Sequence, residues 1–407
     1  MTQIKIENLS FQRRGFQILN NINLTIENGE YITLVGPTGS GKSSLIGLIA
    51  GLYKPTSGKI YFDGIDVTKI PPEERNCGLM FESYALFPHL NILDNVSYAR
   101  HMKEANHQDT YDISREVIDL VRLTDRESTM PHECSGGMQQ RVALARAIMA
   151  IEKRGILILD EPFKALDAGL RLNLRREVKN IVKSPLLNMT TIHVTNDMKE
   201  AMMGDRIIVL DQGTIRQFDS PDQVLYNPKD LFVANFFSTE INHFSGKIIA
   251  REPTEGKMFR EKQLSKIIIS TNENYILYAK TDKNFQVGDE VTFIIRSQYF
   301  KARHKRRESK TNSIYGKIKR AKFMGAWLRI ELEAPFKPHN GLSEKNHTEV
   351  HTNTLPMKTI KIEVPTTRTA IHNFIVGETI TVYYPSEFVI VFPRIPEKKL
   401  EQILRVD

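Results

Sequence analysis

Short apolar runs alternate with longer helical patterns over the first 240 residues of the chain. Four runs are apolar at consecutive positions, which is typical of strands covered on both faces of a parallel sheet. They are Tyr31–Val35, Gly155–Leu159, Thr190–Val194 and Arg206–Leu210. About residues 85–150 are mostly helical in pattern, since Ile113, Val117, Leu120 and Val121 repeat at helical spacing. We therefore predict an α/β core with an inserted helical subdomain.

The pattern changes near residue 240, where β-type runs are short and broken by Gly, Pro, Asn and charged residues. Strands at this spacing predict a small all-β barrel or sandwich. The runs are Lys247–Ile249, Lys266–Ser270, Val291–Ile295, Ile314–Ile318, Trp327–Leu332, Thr359–Val364 and Thr379–Tyr383. Two polar stretches, Lys301–Asn312 and Lys337–Asn353, are predicted to be long loops. We therefore expect two domains, at 1–235 and 236–407.

The composition excludes several classes of protein. The chain has 407 residues, of which 41% are hydrophobic and 26% charged, enough for two or three folded domains. No window reaches the roughly 18 apolar residues of a membrane span, and the N-terminus lacks a signal-peptide pattern. Cys77 and Cys134 lie far apart, which disfavours a disulfide framework or a four-cysteine metal site. We expect a protein of the cytoplasm.

The excess positive charge lies in the C-terminal part. Residues 241–407 contain 29 Lys and Arg against 18 Asp and Glu, whereas residues 1–240 contain 27 against 30. The basic run from Lys301 to Lys310 suits nucleic acid, or anionic lipid if it lies beside a membrane. Such runs are most often solvated loops, and we expect no nucleic-acid partner.

A glycine-rich segment directly follows the first buried strand and directly precedes an apolar helical pattern. It satisfies the motif G-x-x-x-x-G-K-S in the strand–loop–helix setting that binds phosphate. Its residues are Gly36, Pro37, Thr38, Gly39, Ser40, Gly41, Lys42 and Ser43, with Ser44 following. In such a loop the backbone N–H groups converge on a phosphate, Lys42 reaches the β and γ oxygens, and Ser43 offers a hydroxyl to Mg²⁺. The segment predicts a nucleoside triphosphate site.

An acidic pair ends the strand-like run Ile156–Leu159. Asp160 is placed to hold Mg²⁺ through water, and Glu161 is placed to polarise an attacking water. By itself, an acidic pair at the end of a strand would be interpreted as ordinary surface residues. Because a phosphate-binding loop is also present, we interpret it as part of a catalytic site.

The segment from Cys134 to Ala147, CSGGMQQRVALARA, resembles the signature motif of ABC-transporter ATPases. Further segments are similar to the family's motifs and follow in its order. They are Phe81–His89 for the Q-loop, Ala165–Asp167 for the D-loop and Val194–Asp197 for the H-loop. The resemblance covers roughly residues 1–235 and implies the P-loop NTPase fold of an ABC cassette with ATP and Mg²⁺ as cofactors. It also implies an aromatic residue that stacks on adenine, for which we choose Phe11, with Phe16 as the alternative.

The C-terminal part resembles the regulatory region of TOBE type that importer ATPases carry, as in polyamine, ferric-iron, sulfate and sugar uptake. Gln217–Pro228 and Phe232–Phe237 are similar to the linker of those proteins. Phe293–Gln298 and Val376–Val382 are similar to their barrel strands. The resemblance implies an all-β, OB-like or TOBE-like regulatory domain. It does not indicate which solute is transported.

In this family two subunits form a head-to-tail dimer around two ATP molecules. The resemblance implies that Ser135, Gly136 and Gly137 contact the γ-phosphate held by the partner subunit, with Asp167 also at the nucleotide. It implies permease subunits in the membrane, an external solute-binding protein and a peripheral position on the cytoplasmic face of the inner membrane. Permease docking beside the Q-loop would use apolar residues. The candidates are Phe81, Tyr84, Phe87 and Pro88, although Phe81 and Phe87 suit a core role equally well.

Four positions depart from the family pattern: Glu82 for glutamine, Asn196 for the switch histidine, Cys134 for leucine and Met138 for glutamine. We assign Glu161, Asn196 and Glu82 as catalytic, and Ser43, Glu82 and Asp160 as metal ligands. An asparagine amide still donates a hydrogen bond but carries no positive charge. Losing that charge costs about 1–2 kcal/mol, roughly ten- to thirtyfold in rate. The sequence therefore predicts ATP binding with slow hydrolysis, most consistent with an importer ATPase.

Two other functions remain compatible with the sequence. Glu82 and Asn196 suit a regulator or scaffold that binds ATP and turns it over poorly. The basic C-terminal part suits a soluble ABC ATPase acting on nucleic acid, although neither long coiled coils nor a second cassette is evident.

Overall fold

Two sheets of different construction form the N-terminal unit of the computed structural model. The structure describes residues 2–103, 107–152, 154–164, 166, 168–184, 187, 189–259, 262–271, 276–303, 312–335, 357–366 and 374–404. The chain separates into two units, one up to Leu225 and one from Tyr226 onward. Among the described residues, no helix has both the length and the apolar character needed to cross a membrane.

The strands of the first unit follow one another in chain order as β1 to β10. They are β1 Ile4–Arg13, β2 Phe16–Ile26, β3 Tyr31–Val35, β4 Ser57–Phe62, β5 Ile65–Asp66, β6 Cys77–Met80, β7 Ile156–Asp160, β8 Thr190–Val194, β9 Arg206–Asp211 and β10 Thr214–Asp219. Its helices are α1 Lys42–Ala50, α2 Ile92–His101, α3 His107–Leu120, α4 Gly136–Met149, α5 Ala168–Val182, α6 Met198–Ala201 and α7 Pro221–Tyr226.

The central sheet has the order β10-β9-β3-β8-β7-β6, and β9, β3, β8, β7 and β6 run parallel. All five residues of β3 and of β8 are buried, which is the reason that these residues, apart from His193, are apolar or β-branched. The four runs predicted as buried strands all lie in this sheet. Since parallel strands end at one edge, β3 and β7 deliver the phosphate loop and the acidic pair to the same side.

A second, antiparallel sheet has the order β2-β1-β4-β5. Its inward residues share a hydrophobic core with α1 and the central sheet, for example Ile6, Leu45 and Ile158. The sequence patterns did not predict this sheet. Helices α2, α3 and α4 lie within the residues predicted as a helical subdomain, and residues such as Val96 and Leu144 share a core with Leu157 of β7.

The second unit contains two antiparallel sheets of five strands each. Their orders are β13-β12-β11-β14-β20 and β15-β19-β16-β17-β18. The strands are β11 Ile241–Phe259, β12 Lys262–Thr271, β13 Ile276–Thr281, β14 Glu290–Arg296, β15 Lys301–Arg303, β16 Asn312–Phe323, β17 Trp327–Pro335, β18 Met357–Pro365, β19 Thr379–Tyr384 and β20 Ile390–Pro393. All seven predicted runs lie within these strands. Both sheets contribute to one core, with Phe244 and Ile269 from the first and Ile330 and Val382 from the second.

Among the described residues of the second unit there are two α-helices, α8 Leu231–Phe236 and α9 Glu397–Leu404. Leu231 and Ala234 of α8 form a small cluster with Leu400 of α9, and Asn235 donates to the carbonyl of Ile403 at 3.1 Å. The predicted boundary at 235/236 therefore falls within α8, before its last residue, whereas the two units separate at 225/226. Of the predicted loops, residues 337–353 lie outside the described residues, while Lys301–Arg303 and Asn312 belong to strands.

Candidate nucleotide-binding site

The loop between β3 and α1 has a shape that only particular residues allow. A Cβ on Gly36 would lie 2.0 Å from the carbonyl oxygen of Leu210, so this position accepts no side chain. Gly41, which precedes α1, has φ 105°, a left-handed conformation that glycine adopts at little cost. Thr38, Gly39 and Ser43 are exposed while Pro37, Gly41 and Ser44 are half-buried, so the loop presents its tip to solvent.

Lys42 and Ser40 face the inside of this loop. The ammonium of Lys42 donates to the carbonyls of Gly36 at 2.7 Å and Pro37 at 3.0 Å. Burial lowers the pKa of Lys42, an effect that Glu161 and Asp160 oppose. The hydroxyl of Ser40 is buried and has no hydrogen-bond partner among the described residues. A buried cation and an unsatisfied hydroxyl in a glycine-rich loop suit a phosphate group.

The acidic pair stands at the end of β7. Burial raises the pKa of Asp160 to about 6, and Glu161 and Glu82 add to this shift while Lys42 and Lys164 oppose it. Glu161 has φ 44°, a left-handed conformation that is uncommon for residues other than glycine. Strain of this kind is found at functional sites, where it aims a side chain.

The side chain of Glu161 is held from two sides. Asn196 donates from Nδ2 to Oε1 of Glu161 at 2.8 Å, and the ammonium of Lys164 lies 3.7 Å from Oε2. The same ammonium lies 2.8 Å from Oε1 of Glu82. The structure thus brings together four sequence-predicted residues, Asp160, Glu161, Glu82 and Asn196, and adds Lys164, which the sequence analysis missed.

A buried charged network lies behind Asn196. Arg175 on α5 donates to Glu200 at 2.9 and 3.1 Å and to Asp197 at 2.7 Å. Burial raises the pKa of Glu200, yet its interactions with His193, Thr195 and Arg175 outweigh this effect and leave that pKa lowered. These contacts connect α5 to the turn that carries Asn196. The network escaped sequence reasoning because its members are far apart along the chain.

The two candidates for the adenine-stacking residue lie in different environments. Phe11 is 7% exposed, belongs to the hydrophobic core and stacks on Tyr53 with ring centroids 5.6 Å apart. Its ring therefore offers no open face to a base. Phe16 is 73% exposed at the start of β2. The geometry favours the alternative, Phe16, over our first choice, Phe11.

The signature segment starts helix α4. Ser135 caps the helix, because its hydroxyl oxygen accepts from the N–H of Met138 at 3.3 Å. Ser135 and Gly136 are exposed, whereas Gly137 is buried, with its Cβ position 3.6 Å from Leu174. Among the described residues, the hydrogen bond of Ser135 and the packing of Gly137 join this segment to α4 and α5, and not to the phosphate loop of the same chain. Asp167 lies outside the described residues.

The loop after β6 is fixed by two buried or half-buried side chains. Arg146 of α4 donates to the carbonyls of Tyr84 and Ala85 at 2.8 and 2.7 Å. Asn95 of α2, fully buried, accepts from the N–H of Phe87 and donates to its carbonyl. The four aromatic and proline candidates in this loop differ in exposure: Phe81 and Pro88 are exposed, Phe87 is half-buried and Tyr84 is buried.

The donor set of the site fits Mg²⁺ bound mainly through phosphates. The described residues contain no group of three or more His, Cys, Asp or Glu side chains that could hold a metal ion by themselves. Mg²⁺ commonly takes one or two carboxylates together with phosphate oxygens and waters. Ser43, Asp160 and Glu82 supply one hydroxyl and two carboxylates beside the phosphate loop, which agrees with that preference.

The chain is similar to several known proteins. The ABC transporter family profile matches residues 19–164. The spermidine/putrescine import ATP-binding protein PotA of Vibrio parahaemolyticus is 35% identical over 80% of this chain and 82% of its own length. The protein of the same name from Fusobacterium nucleatum is 38% identical over 73% of this chain and 76% of its own. A solved dimeric bacterial ABC transporter cassette is 30% identical over 54% of this chain and 98% of its own, with a TM-score of 0.48.

The site and the relatives therefore lead to one assignment. The phosphate loop, the acidic pair at the end of β7 and the signature helix stand in one α/β unit, and an all-β unit follows. Relatives that share more than three quarters of their length with this chain are ATP-binding proteins of import systems. The chain belongs to the ABC-transporter ATPases, as an ATP-binding subunit of the importer type.

Proposed function

We propose that this chain binds Mg²⁺–ATP at the loop 36–43 and hydrolyses it slowly, as one of two identical subunits that drive a polyamine importer. The observation that carries the proposal is the contact between Asn196 Nδ2 and Glu161 Oε1 at 2.8 Å. Through this hydrogen bond Asn196, at the switch position, contacts Glu161, the residue proposed to activate water.

Each residue of the site has a separate proposed role in ATP binding or hydrolysis. The backbone of the loop and Lys42 bind the phosphates, and the exposed ring of Phe16 stacks on the adenine. When bound, Mg²⁺ would neutralise phosphate charge, and Ser43, Asp160 and Glu82 would hold it. Glu161 accepts the proton of the attacking water, which Asn196 helps to orient.

Slow turnover follows from the charge of two residues. Asn196 donates a neutral hydrogen bond to the γ-phosphate where a histidine could donate a charge-assisted one, which accounts for about 1–2 kcal/mol. Glu82 adds a negative charge beside the triphosphate. Because Glu82 is present in both proteins, Asn196 alone sets the comparison with an Asn196→His variant, and the unchanged chain should be at least about tenfold slower.

The second half of each ATP site comes from a partner subunit. The exposed Ser135 and Gly136 at the start of α4 supply backbone N–H groups and a helix N-terminus suited to a γ-phosphate. Because these residues make their contacts away from the phosphate loop of their own chain, a head-to-tail homodimer supplies the complete site. Asp167 is proposed to act at the same interface.

Permease subunits are proposed to dock on the exposed residues near the loop after β6. Phe81, Tyr98 and Met102 are 42%, 38% and 67% exposed, and Pro88 is exposed beside them. A fixed loop with an apolar surface suits a short permease helix. This docking places the chain on the cytoplasmic face of the inner membrane as a peripheral subunit, with an external binding protein supplying the solute. Residues 236–407 are proposed to regulate the assembly.

The names of the relatives support spermidine or putrescine as the solute. The test is uptake of radiolabelled spermidine by cells that depend on this chain. We expect uptake with the unchanged chain and none with Lys42→Ala, which removes the phosphate-binding cation. A matched control is Lys59→Ala, on strand β4 of the other sheet. Equal uptake with Lys42→Ala would contradict the proposal.

A scaffold that binds ATP with little turnover is the second candidate, favoured by Glu82 and Asn196. Steady-state phosphate release by the purified chain separates the two candidates. Release that is low but raised by Asn196→His supports the slow ATPase. Release that stays at background in both proteins, with ATP still bound, supports the scaffold.

A further inference from the structure

Lys164 stands in the turn after β7, and its ammonium group contacts two carboxylates of the site. Nζ lies 2.8 Å from Oε1 of Glu82 and 3.7 Å from Oε2 of Glu161. The N–H of Lys164 donates to the carbonyl of Glu161 at 3.2 Å, which fixes the turn. One cation therefore links the loop after β6 to the end of β7, the two segments that supply the proposed carboxylate ligands of the metal.

The charges around the phosphate loop show why a cation is needed there. Among the described residues, the carboxylates of Asp160, Glu161 and Glu82 interact with two ammonium groups, those of Lys42 and Lys164. A triphosphate adds several more negative charges at the same place. Removing Lys164 would leave the carboxylate of Glu82 without its neighbouring cation, and its negative charge would then oppose the binding of a triphosphate.

Folding stability is a poor explanation for this ion pair. The side chains of Lys164 and Glu82 are 55% and 51% exposed, and exposed pairs of this kind contribute little to stability. A role in ligand binding is different, because the charges act on a nucleotide and not only on each other. The pair between Lys59 and Asp66 provides a matched control, with a distance of 3.2 Å and exposures of 58% and 41%.

We propose that Lys164 is a positioning residue of the ATP site, which offsets the charge of Glu82 and holds the Glu82 and Glu161 carboxylates in place for Mg²⁺–ATP. The inference rests on the proposed function of loop 36–43 and adds a residue to it. The inference predicts that the contribution of Lys164 to nucleotide affinity depends on the negative charge at position 82. With a neutral glutamine at that position, Lys164 should contribute little to nucleotide affinity.

A double-mutant cycle tests this dependence through nucleotide affinity. The proteins are the unchanged chain, Lys164→Met, Glu82→Gln and the double variant, with Lys164→Arg to restore the charge and Lys59→Met as control. The probe is a fluorescent, non-hydrolysed ATP analogue titrated in Mg²⁺ at low and high salt. Thermal unfolding of each protein checks that it is folded.

We expect Lys164→Met to weaken binding about tenfold at low salt and by about threefold or less at high salt, because screening reduces the effect of an exposed charge. In the Glu82→Gln background the same substitution changes affinity by less than about twofold. Lys164→Arg and Lys59→Met stay within about twofold of the unchanged chain.

Two results would overturn the inference while leaving the nucleotide site intact. One is unchanged affinity in Lys164→Met, and the other is equal weakening in both backgrounds, which would show that Lys164 acts independently of Glu82. Failure of the unchanged chain to bind the probe is a different result, since it would contradict the proposed function together with the inference.

Discussion

Replacing Asp160 with asparagine is expected to stabilise the nucleotide-free protein, although Asp160 is needed for function. Burial, Glu161 and Glu82 raise the pKa of Asp160 from its ordinary 3.8 to about 6. Ionised Asp160 is therefore less stable in the folded state than in the unfolded chain. Since one pKa unit corresponds to about 1.4 kcal/mol, ionised Asp160 costs about 3 kcal/mol. Asparagine is neutral and avoids this cost.

The sign of the effect sets its dependence on pH. A carboxyl group with a raised folded pKa binds its proton more tightly in the folded state, so stability falls as pH rises from about 4 to about 6 and is constant above. The gain from Asp160→Asn should therefore be about 3 kcal/mol at pH 8 and about 1 kcal/mol at pH 4.5.

Urea unfolding followed by circular dichroism measures this gain. The single tryptophan, Trp327, lies in the second unit, so its fluorescence would not report on Asp160. Asp66→Asn serves as a control that should lower stability. Hydrogen bonds from Thr68 lower the pKa of Asp66 to about 2, so the charged form of Asp66 is favoured in the folded state. A neutral or destabilising effect of Asp160→Asn at pH 8, or an equal gain at pH 4.5, would refute the reasoning.

Four further substitutions test other parts of the structure. Gly36→Ala should destabilise the first unit by about 3 kcal/mol, because the new Cβ would lie 2.0 Å from a carbonyl oxygen of β9; urea unfolding measures the loss. Arg175→Met leaves the buried carboxylate of Glu200 without its cation and should cost about 3 kcal/mol in the same assay. Phe16→Ala should weaken ATP binding about tenfold without loss of stability, whereas Phe11→Ala should lower stability by about 3 kcal/mol; calorimetry of binding and urea unfolding separate the two.

The parts of the fold that sequence patterns predicted are those with strong local requirements. The loop 36–43 needs its glycines and its strand and helix neighbours, so the motif also predicts its setting. The strands β3, β7, β8 and β9 are rich in apolar and β-branched residues at consecutive positions because both faces are covered. In the C-terminal unit, charged and turn-forming residues between apolar runs separate the strands clearly.

The parts that the sequence could not show depend on irregular backbone or on distant contacts. The register of β1 against β2 shifts at three places, between Ile6 and Gln12. These bulges place Phe11 in the core and leave Phe16 exposed, and no periodic pattern reports them. The contact of Lys164 with Glu82 joins segments that are distant along the chain. A lysine three residues after the acidic pair had no motif to indicate its role.

The most direct test of the central claim is steady-state phosphate release by the purified chain with Mg²⁺–ATP. The account predicts slow release by the unchanged chain, an increase of about ten- to thirtyfold in Asn196→His, and loss of release in Glu161→Gln with ATP still bound. Release by the unchanged chain that equals that of Asn196→His, or that survives in Glu161→Gln, would contradict it.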